Sequence, residues 1–198
     1  MLQYYLVLKG LKETVHKYIT NEKGKVYCLF VDLSKAFDNV DHFQLGQLLL
    51  QRRIPPDIVL FILHYLRNQK ARIVWNGEKG NYINIEKGVR QGGILSPMLF
   101  KLYIDDILSE ICNSGIGCKY GILRMNILAY ADDLVILANS QCQLAQLYKI
   151  LEIRMGERKL LINKNKSKCM IFTKRSSSVM EECVEICSNT FEVVKKYR

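Results

Sequence analysis

Residues 126–138 read NILAYADDLVILA, and in this stretch two apolar runs meet at the adjacent acids Asp132 and Asp133. Each run has the length of a β-strand, and strands this apolar are buried. The turn that joins two buried strands has to lie at an edge of the core, where its side chains are exposed but rigidly held. The stretch therefore predicts a β-hairpin with two carboxylates at its tip. A lone Asp-Asp pair is usually only a turn.

A third acid follows another apolar strand. Residues 25–32 read KVYCLFVD, so that the nearly continuous apolar run ends at Asp32. If this strand lies beside the hairpin, three carboxylates meet at one place, and they repel one another unless a cation neutralises them. Hard oxygen ligands select Mg²⁺ or Mn²⁺, and two such ions can activate a 3′-hydroxyl and stabilise a leaving pyrophosphate. The sequence thus predicts a site for two divalent ions.

A second Tyr-x-Asp-Asp sequence runs from Tyr103 to Asp106. It follows Ser96-Pro97, a pair that is typical of the first residues of a helix. Successive side chains on a helix point about 100° apart, so that Asp105 and Asp106 would diverge. We therefore expect the metal site at the hairpin and not at this helix.

Apolar periodicity and turn chemistry predict the other elements. We expect an α+β fold with a small antiparallel sheet and helices packed on one face. The remaining predicted elements are a helix in residues 1–20, a helix capped by Asp41, a helix opened by Pro55-Pro56, a hairpin or a longer β-loop around Asn76-Gly77, a helix capped by Ser140, short strands or turns at residues 160–163 and 168–172, and a strand from Phe191 that stops before its partner.

Charge is distributed unevenly along the 198 residues, whose net charge is +10. Residues 51–100 carry eight Lys or Arg against three Asp or Glu, residues 151–198 carry eleven against six, and residues 101–150 carry four against five. An acidic middle between basic flanks suits a metal site inside a groove that binds phosphate. A solvated basic surface is the alternative, and charge alone does not decide between the two.

The amino-acid composition also indicates in which cellular compartment the protein occurs. The seven cysteines are irregularly spaced and lack the spacing of zinc ligands, which predicts free thiols. No apolar run is as long as the roughly 18 residues that a membrane span needs, and the first residues lack the layout of a signal peptide. We expect an intracellular protein that contacts no membrane, in the nucleus, the cytoplasm or both.

Three blocks in chain order resemble motifs A, B and C of reverse transcriptases. They are residues 30–38 (FVDLSKAFD), residues 88–97 (GVRQGGILSP) and residues 130–133 (YADD). The similarity runs from about residue 20 to the end and is closest to LINE-like, non-LTR retrotransposons. It implies a polymerase palm in residues 25–175, with the end of the fingers in residues 1–24. Residues 176–198 would lead into a primer grip, while most of the fingers and the whole thumb would be missing.

The same resemblance implies an RNA-directed DNA polymerase that adds deoxynucleoside triphosphates to a DNA primer on an RNA template. Asp32 and Asp132 would be the main metal ligands and Asp133 an accessory one. Phe37 would be the steric gate that faces the sugar 2′ position. The remaining substrate-binding positions that it implies are Leu33, Arg90, Gln91 and Gly92. Residues 163–167 resemble motif D, whose lysine, here Lys166, would protonate the leaving pyrophosphate.

Several alternatives stay open. Residues 88–93 could be a plain glycine-rich turn, and Lys166 could be a solvated lysine in a basic run. The family often has glycine where Lys159 stands, and Gly156 could take over that helix-ending role. The chain could also be a non-catalytic nucleic-acid-binding remnant, an intron-maturase-type enzyme or an RNA-dependent RNA polymerase. We expect a truncated copy with weak activity or none.

Overall fold

The computed structural model describes residues 2–21, 24–120, 123–173 and 182–194. No helix among these residues is long and apolar enough to cross a membrane. The helices in the described ranges are α1 (Leu2–Asn21), α2 (His42–Gln51), α3 (Pro56–Arg67), α4 (Ser96–Asn113) and α5 (Gln141–Glu157), with a 3₁₀ turn at Phe37–Asn39. They agree with the helices that the apolar periodicity predicts.

The strands are short, and most belong to two-stranded pairs. In chain order they are β1 (Lys25–Val31), β2 (Leu33–Ser34), β3 (Lys70–Ala71), β4 (Val74–Trp75), β5 (Glu78–Lys79), β6 (Ile83–Asn84), β7 (Cys118–Tyr120), β8 (Leu123–Met125), β9 (Ile127–Tyr130), β10 (Asp133–Ala138), β11 (Leu161–Ile162), β12 (Lys168–Thr173), β13 (Cys183–Ile186) and β14 (Asn189–Glu192).

The chain divides into two compact units. The first consists of the residues up to 34, residues 106–157 and the residues from 161 onward. The second consists of residues 35–105 and 158–160. The three acids of interest, Asp32, Asp132 and Asp133, all belong to the first unit.

A four-stranded antiparallel sheet forms the centre of the first unit, in the order β12-β1-β10-β9. Strand β1 lies between β12 and β10, and its last residue, Val31, pairs with Leu134. Strands β9 and β10 form the predicted hairpin, with Tyr130 opposite Asp133. The expected α+β fold with a small antiparallel sheet is thereby confirmed.

Both faces of the central strands are buried, whereas the sequence led us to expect helices on one face. On one face, Val26 and Cys28 of β1 pack against Val15 and Tyr18 of α1. The opposite face is covered as well, because Leu29, Leu134 and Ile136, which lie on it, are at most 1% exposed. Strands β1 and β10 are apolar at nearly every position, so that neither face of the sheet is suited to water.

The expectation that the strand at Phe191 has no partner is wrong. Strand β14 pairs with β13, and Val184 lies opposite Phe191. The Phe191 ring is fully buried and meets Tyr148 of α5 edge-on, with the ring centroids 5.2 Å apart. Periodicity did not reveal β13, because it has only four residues and its sequence, CVEI, does not alternate apolar and polar positions, although the folded strand buries every second one.

In the second unit, Asp41 caps α2 as predicted. Its carboxylate accepts hydrogen bonds from the backbone N–H groups of Phe43 and Gln44, each at 3.0 Å. Lys159 Nζ also donates to this carboxylate at 2.6 Å. The hydrogen bond from Lys159 is the largest cause that lowers the pKa of Asp41, and the capping bond from Gln44 lowers it further. The cap is therefore held in its charged form.

Lys159 itself adopts a left-handed backbone, with φ +58°. This is the conformation that glycine adopts most easily, and for another residue it costs about 1–2 kcal/mol. Gly156 does not take over this role, because it lies within α5. The expectation that Gly156 replaces the family's glycine is therefore wrong, and the ion pair of Lys159 with Asp41 offsets part of the strain.

Candidate active site

The two acids of the hairpin stand at a tight turn. Tyr130 pairs with Asp133, so that Ala131 and Asp132 form a two-residue loop. Ala131 adopts φ +54°, a conformation that such loops need at their first position and normally give to glycine. Alanine there costs about 1–2 kcal/mol. The surrounding strands therefore hold the turn in a strained backbone, which fixes where the two carboxylates stand.

Asp32 lies beside this turn. The antiparallel register of β1 and β10 pairs Phe30 with Val135 and Val31 with Leu134. One step further along the same register, Asp32 comes next to Asp133. Asp32 and Asp132 are half-buried, and Asp133 is the most exposed of the three, though still partly covered. The sheet thus brings together the three acids that the sequence analysis singled out.

Electrostatics supports this proximity. The pKa of Asp133 is raised above its usual value, first by partial burial and then by the neighbouring charges of Asp132 and Asp32. Three carboxylate groups that repel one another suit a hard divalent cation, which relieves the repulsion. Among the described residues, however, no three His, Cys, Asp or Glu side chains are gathered into a ready ligand set. The chemistry of the donors fits a metal ion, while the side chains are not already arranged around one.

The raised pKa predicts that Asp133 costs stability at neutral pH. A carboxyl group whose folded pKa lies above its unfolded value favours folding while it is protonated, and that contribution is lost as the pH rises through the folded pKa. Asp133→Asn should therefore raise the melting temperature at pH 7. The gain should shrink as the pH falls toward the unfolded value of about 4. Thermal unfolding between pH 4 and pH 8 measures this.

Asp105→Asn is the matched control, because it removes a carboxylate that is paired with Arg52 at 2.6 Å. This substitution should give no gain at any pH. A melting temperature for Asp133→Asn below that of the wild type at pH 7 would contradict the assigned repulsion.

The backbone of Asp32 is anchored by the turn at residues 163–167. Its carbonyl accepts a hydrogen bond from Asn163 N at 2.8 Å, and its N–H donates to Ser167 Oγ at 3.1 Å. The same hydroxyl donates to Asn163 O at 2.8 Å. Lys166, which is exposed, sits on this turn, and its N–H donates to Asn163 Oδ1 at 3.3 Å. The predicted motif D residue is thus joined to Asp32 through the backbone of one turn.

The second Tyr-x-Asp-Asp sequence lies within α4, as expected. The fully buried Tyr103 places its hydroxyl 2.8 Å from both Gln44 Oε1 and Arg158 O. Asp105 forms an ion pair with Arg52, and Asp106 lies 4.0 Å from the guanidinium of Arg154. These contacts give the helical sequence a structural role.

The substrate-binding positions outside the acids lie mostly in the second unit. Phe37 is half-buried and stacks on Phe100, with centroids 4.9 Å apart and planes inclined by 21°. Val89 N donates to Phe37 O at 2.8 Å, so the start of the glycine-rich block is tied to Phe37. The exposed residues of that block are Arg90, Gln91 and Gly92. Leu33, in the first unit, is only 5% exposed, so its side chain belongs to the core.

Sequence reasoning assigned no role to Ser167. Only 1% of this residue is exposed, and its hydroxyl forms hydrogen bonds with two backbone groups, the N–H of Asp32 and the carbonyl of Asn163. The available signal was its place directly after Lys166 in the block that resembles motif D.

An antiparallel sheet that carries acids at the ends of two central neighbouring strands, among packed helices, is the palm of a nucleic-acid polymerase. The sequence family described as "Reverse transcriptase (RNA-dependent DNA polymerase)" matches residues 3–192, and the chain belongs to this family.

Similar proteins include those of non-LTR retrotransposons. The chain is 34% identical over 116 residues to the Pol polyprotein of the type-1 retrotransposable element R2 of Nasonia vitripennis, which covers 59% of this chain and 11% of that protein. It is 27% identical over 141 residues to the RNA-directed DNA polymerase from mobile element jockey of Drosophila funebris, covering 67% of this chain and 15% of the relative. The expected kinship with LINE-like elements is confirmed, and the chain spans only a small part of these relatives.

Solved structures support the fold. The apo telomerase of Candida tropicalis, truncated from its C-terminal domain, matches with a TM-score of 0.63 and 12% identity. The match covers 96% of this chain and 40% of that one. The palm fold is therefore shared with a telomerase, while identity this low indicates the fold alone.

Proposed function

We propose that this chain carries the catalytic centre of an RNA-directed DNA polymerase, which joins deoxynucleotides to a DNA primer on an RNA template. The observation that supports this most is the meeting of Asp32, Asp132 and Asp133 at the strand ends of a palm sheet. This activity belongs inside the cell, in the nucleus or the cytoplasm, where RNA templates and nucleotides occur.

Asp32 and Asp132 would hold two divalent ions, Mg²⁺ or Mn²⁺, with Asp133 as an accessory ligand. Bound ions would supply charge neutralisation at the phosphoryl group and a more acidic 3′-hydroxyl. The chain's own contribution is positional. The strained turn at Ala131 and the anchored backbone of Asp32 keep the carboxylates near one another despite their repulsion.

Phe37 would face the 2′ position of the incoming sugar, and its stacking on Phe100 would keep the ring in place. Arg90, Gln91 and Gly92 would contact the incoming nucleotide, since they are exposed on the loop that follows Val89. Leu33 would contribute through its backbone, because its side chain is buried. Lys166 would deliver a proton to the leaving pyrophosphate from the turn that anchors Asp32.

Primer extension tests this function. The protein, given an RNA template annealed to a DNA primer, should add deoxynucleotides slowly, and only when Mg²⁺ or Mn²⁺ is present. Extension with ribonucleotides alone would favour an RNA-dependent RNA polymerase. Tight primer–template binding without extension, in the presence of either ion, would favour a non-catalytic nucleic-acid-binding protein.

The sugar gate makes a separate prediction. Phe37→Val should raise the use of ribonucleotides relative to deoxyribonucleotides by on the order of tenfold or more, because it opens space for the 2′-hydroxyl. The loss of stacking on Phe100 should also cost about 2 kcal/mol of stability. Competition between the two nucleotide types, at a temperature where both proteins are folded, gives the ratio.

Phe43→Val is the matched control, since Phe43 lies in the same unit and is 66% exposed. It should change neither the nucleotide ratio nor the stability by much. If Phe37→Val lowers stability while the ratio stays at the wild-type value, Phe37 is a core residue and not a gate.

A further inference from the structure

Asp32 lies between β1 and β2, at the point where the neighbouring strand changes from β12 to β11. On the β12 side, the register pairs Phe30 with Lys168, and past Asp32 it pairs Leu33 with Ile162 of β11. Two residues, 31 and 32, therefore face the five residues 163–167. The surplus bulges out as the turn that carries Lys166, and the regular strand ladder is interrupted beside the proposed metal ligand.

Ser167 bridges this interruption with hydrogen bonds. Its hydroxyl takes the place of a strand carbonyl by accepting the Asp32 N–H at 3.1 Å, and it donates to Asn163 O at 2.8 Å. Ser167 N donates to the same carbonyl at 2.9 Å, which closes the turn. Asn163 N in turn donates to Asp32 O at 2.8 Å. Both backbone polar groups of Asp32 are thus bound by one turn, and one of the two bonds depends on a single side chain.

We propose that Ser167 is a positioning residue for the metal site, which holds the backbone of Asp32 so that its carboxylate can reach a divalent ion. The inference rests on the proposed function, in which Asp32 is a ligand. Ser167 is only 1% exposed, which leaves little room for water to replace its hydroxyl. Because Lys166 belongs to the same turn, Ser167 also sets the position of that lysine relative to Asp32.

Two measurements separate this role from general stability. The first is hydrogen exchange at the Asp32 amide, which reports directly on its bond to Ser167. The second is the affinity for Mn²⁺ alone, measured from the electron paramagnetic resonance signal of the free ion. Ser167→Ala should remove the protection of the Asp32 amide and weaken Mn²⁺ binding by about 10–100-fold, as is usual when a residue that supports a ligand is lost. Ser167→Thr, which keeps the hydroxyl, should retain most of both.

Ser140→Ala is the matched control. The Ser140 hydroxyl accepts a hydrogen bond from Gln143 N at 3.3 Å at the start of α5, so that this variant also loses one side chain to backbone bond. It should leave Mn²⁺ affinity unchanged. If Ser167→Ala does not fold, Ser167→Cys replaces it, because its thiol keeps the volume but accepts hydrogen bonds only weakly.

The outcomes distinguish the two claims. The role of Ser167 would be overturned if Ser167→Ala, or Ser167→Cys where that variant has to be used, binds Mn²⁺ as tightly as the wild type while Asp32→Asn binds it more weakly. The proposed metal site would still stand in that case. Unchanged binding in Asp32→Asn would overturn the proposed function itself. Equal weakening in Ser140→Ala would show that Mn²⁺ affinity follows general stability, and the positioning role would fail.

Discussion

Asp32→Asn and Asp132→Asn are each expected to lower the rate of primer extension at least about a hundredfold. Replacing a carboxylate by an amide removes a negative ligand from the charge that stabilises the transition state, a loss worth several kcal/mol. Asp133→Asn should have a smaller effect, because Asp133 is proposed as an accessory ligand. Single-turnover extension at saturating nucleotide, with Mg²⁺ varied, measures the effect and separates weaker metal binding from slower chemistry.

The helical Tyr-x-Asp-Asp sequence provides an internal control for this prediction. Asp105 and Arg52 form a surface ion pair whose side chains are 34% and 35% exposed. Such pairs contribute about 0–1 kcal/mol, so Asp105→Asn should leave the extension rate nearly unchanged. If Asp105→Asn abolishes primer extension while Asp132→Asn keeps the wild-type rate, the acids at the hairpin are not the catalytic ones.

Gly88→Ala is expected to destabilise the protein by about 2–5 kcal/mol. Gly88 adopts φ +91°, and an added Cβ would lie 2.8 Å from both Cα and O of Asp38. A left-handed alanine costs about 1–2 kcal/mol, and forcing an extra carbon into a packed place costs about 1–3 kcal/mol more. The denaturant midpoint should fall accordingly. Because Gly88 N donates to Val40 O and Val89 N to Phe37 O, the nucleotide ratio should change as well.

Gly77→Ala is the matched control for the contact that a Cβ at position 88 would make with Asp38. Gly77 has a similar φ of +82°, but an added Cβ would meet nothing within 4 Å. This variant should lose only the backbone part, about 1–2 kcal/mol. Equal losses in the two variants would mean that the contact with Asp38 is easily relieved and that Gly88 matters only for its φ.

The amino-acid sequence by itself determined the hairpin, the strand before Asp32 and the choice of acids. Each of these depends on a local pattern, because a short apolar run of strand length that ends at a carboxylate is typical of a buried strand with its acid at the edge. The helix that contains Asp105 and Asp106 was also identifiable locally, from Ser96-Pro97 at its start. The cap at Asp41 follows from the same kind of short-range chemistry, in which one side chain serves the next turn.

Only the tertiary structure decided the features that join distant parts of the chain. Ser167 and Asp32 are 135 residues apart, and their bond exists because the sheet places β1 beside β12. The pairing of β13 with β14 and the burial of Phe191 against Tyr148 likewise depend on packing that no short pattern encodes. The contact of Lys159, whose backbone is left-handed, with Asp41 likewise joins residues that are 118 positions apart. Local patterns specify where a strand ends, whereas the partner that satisfies its last backbone group is specified only once the chain has folded.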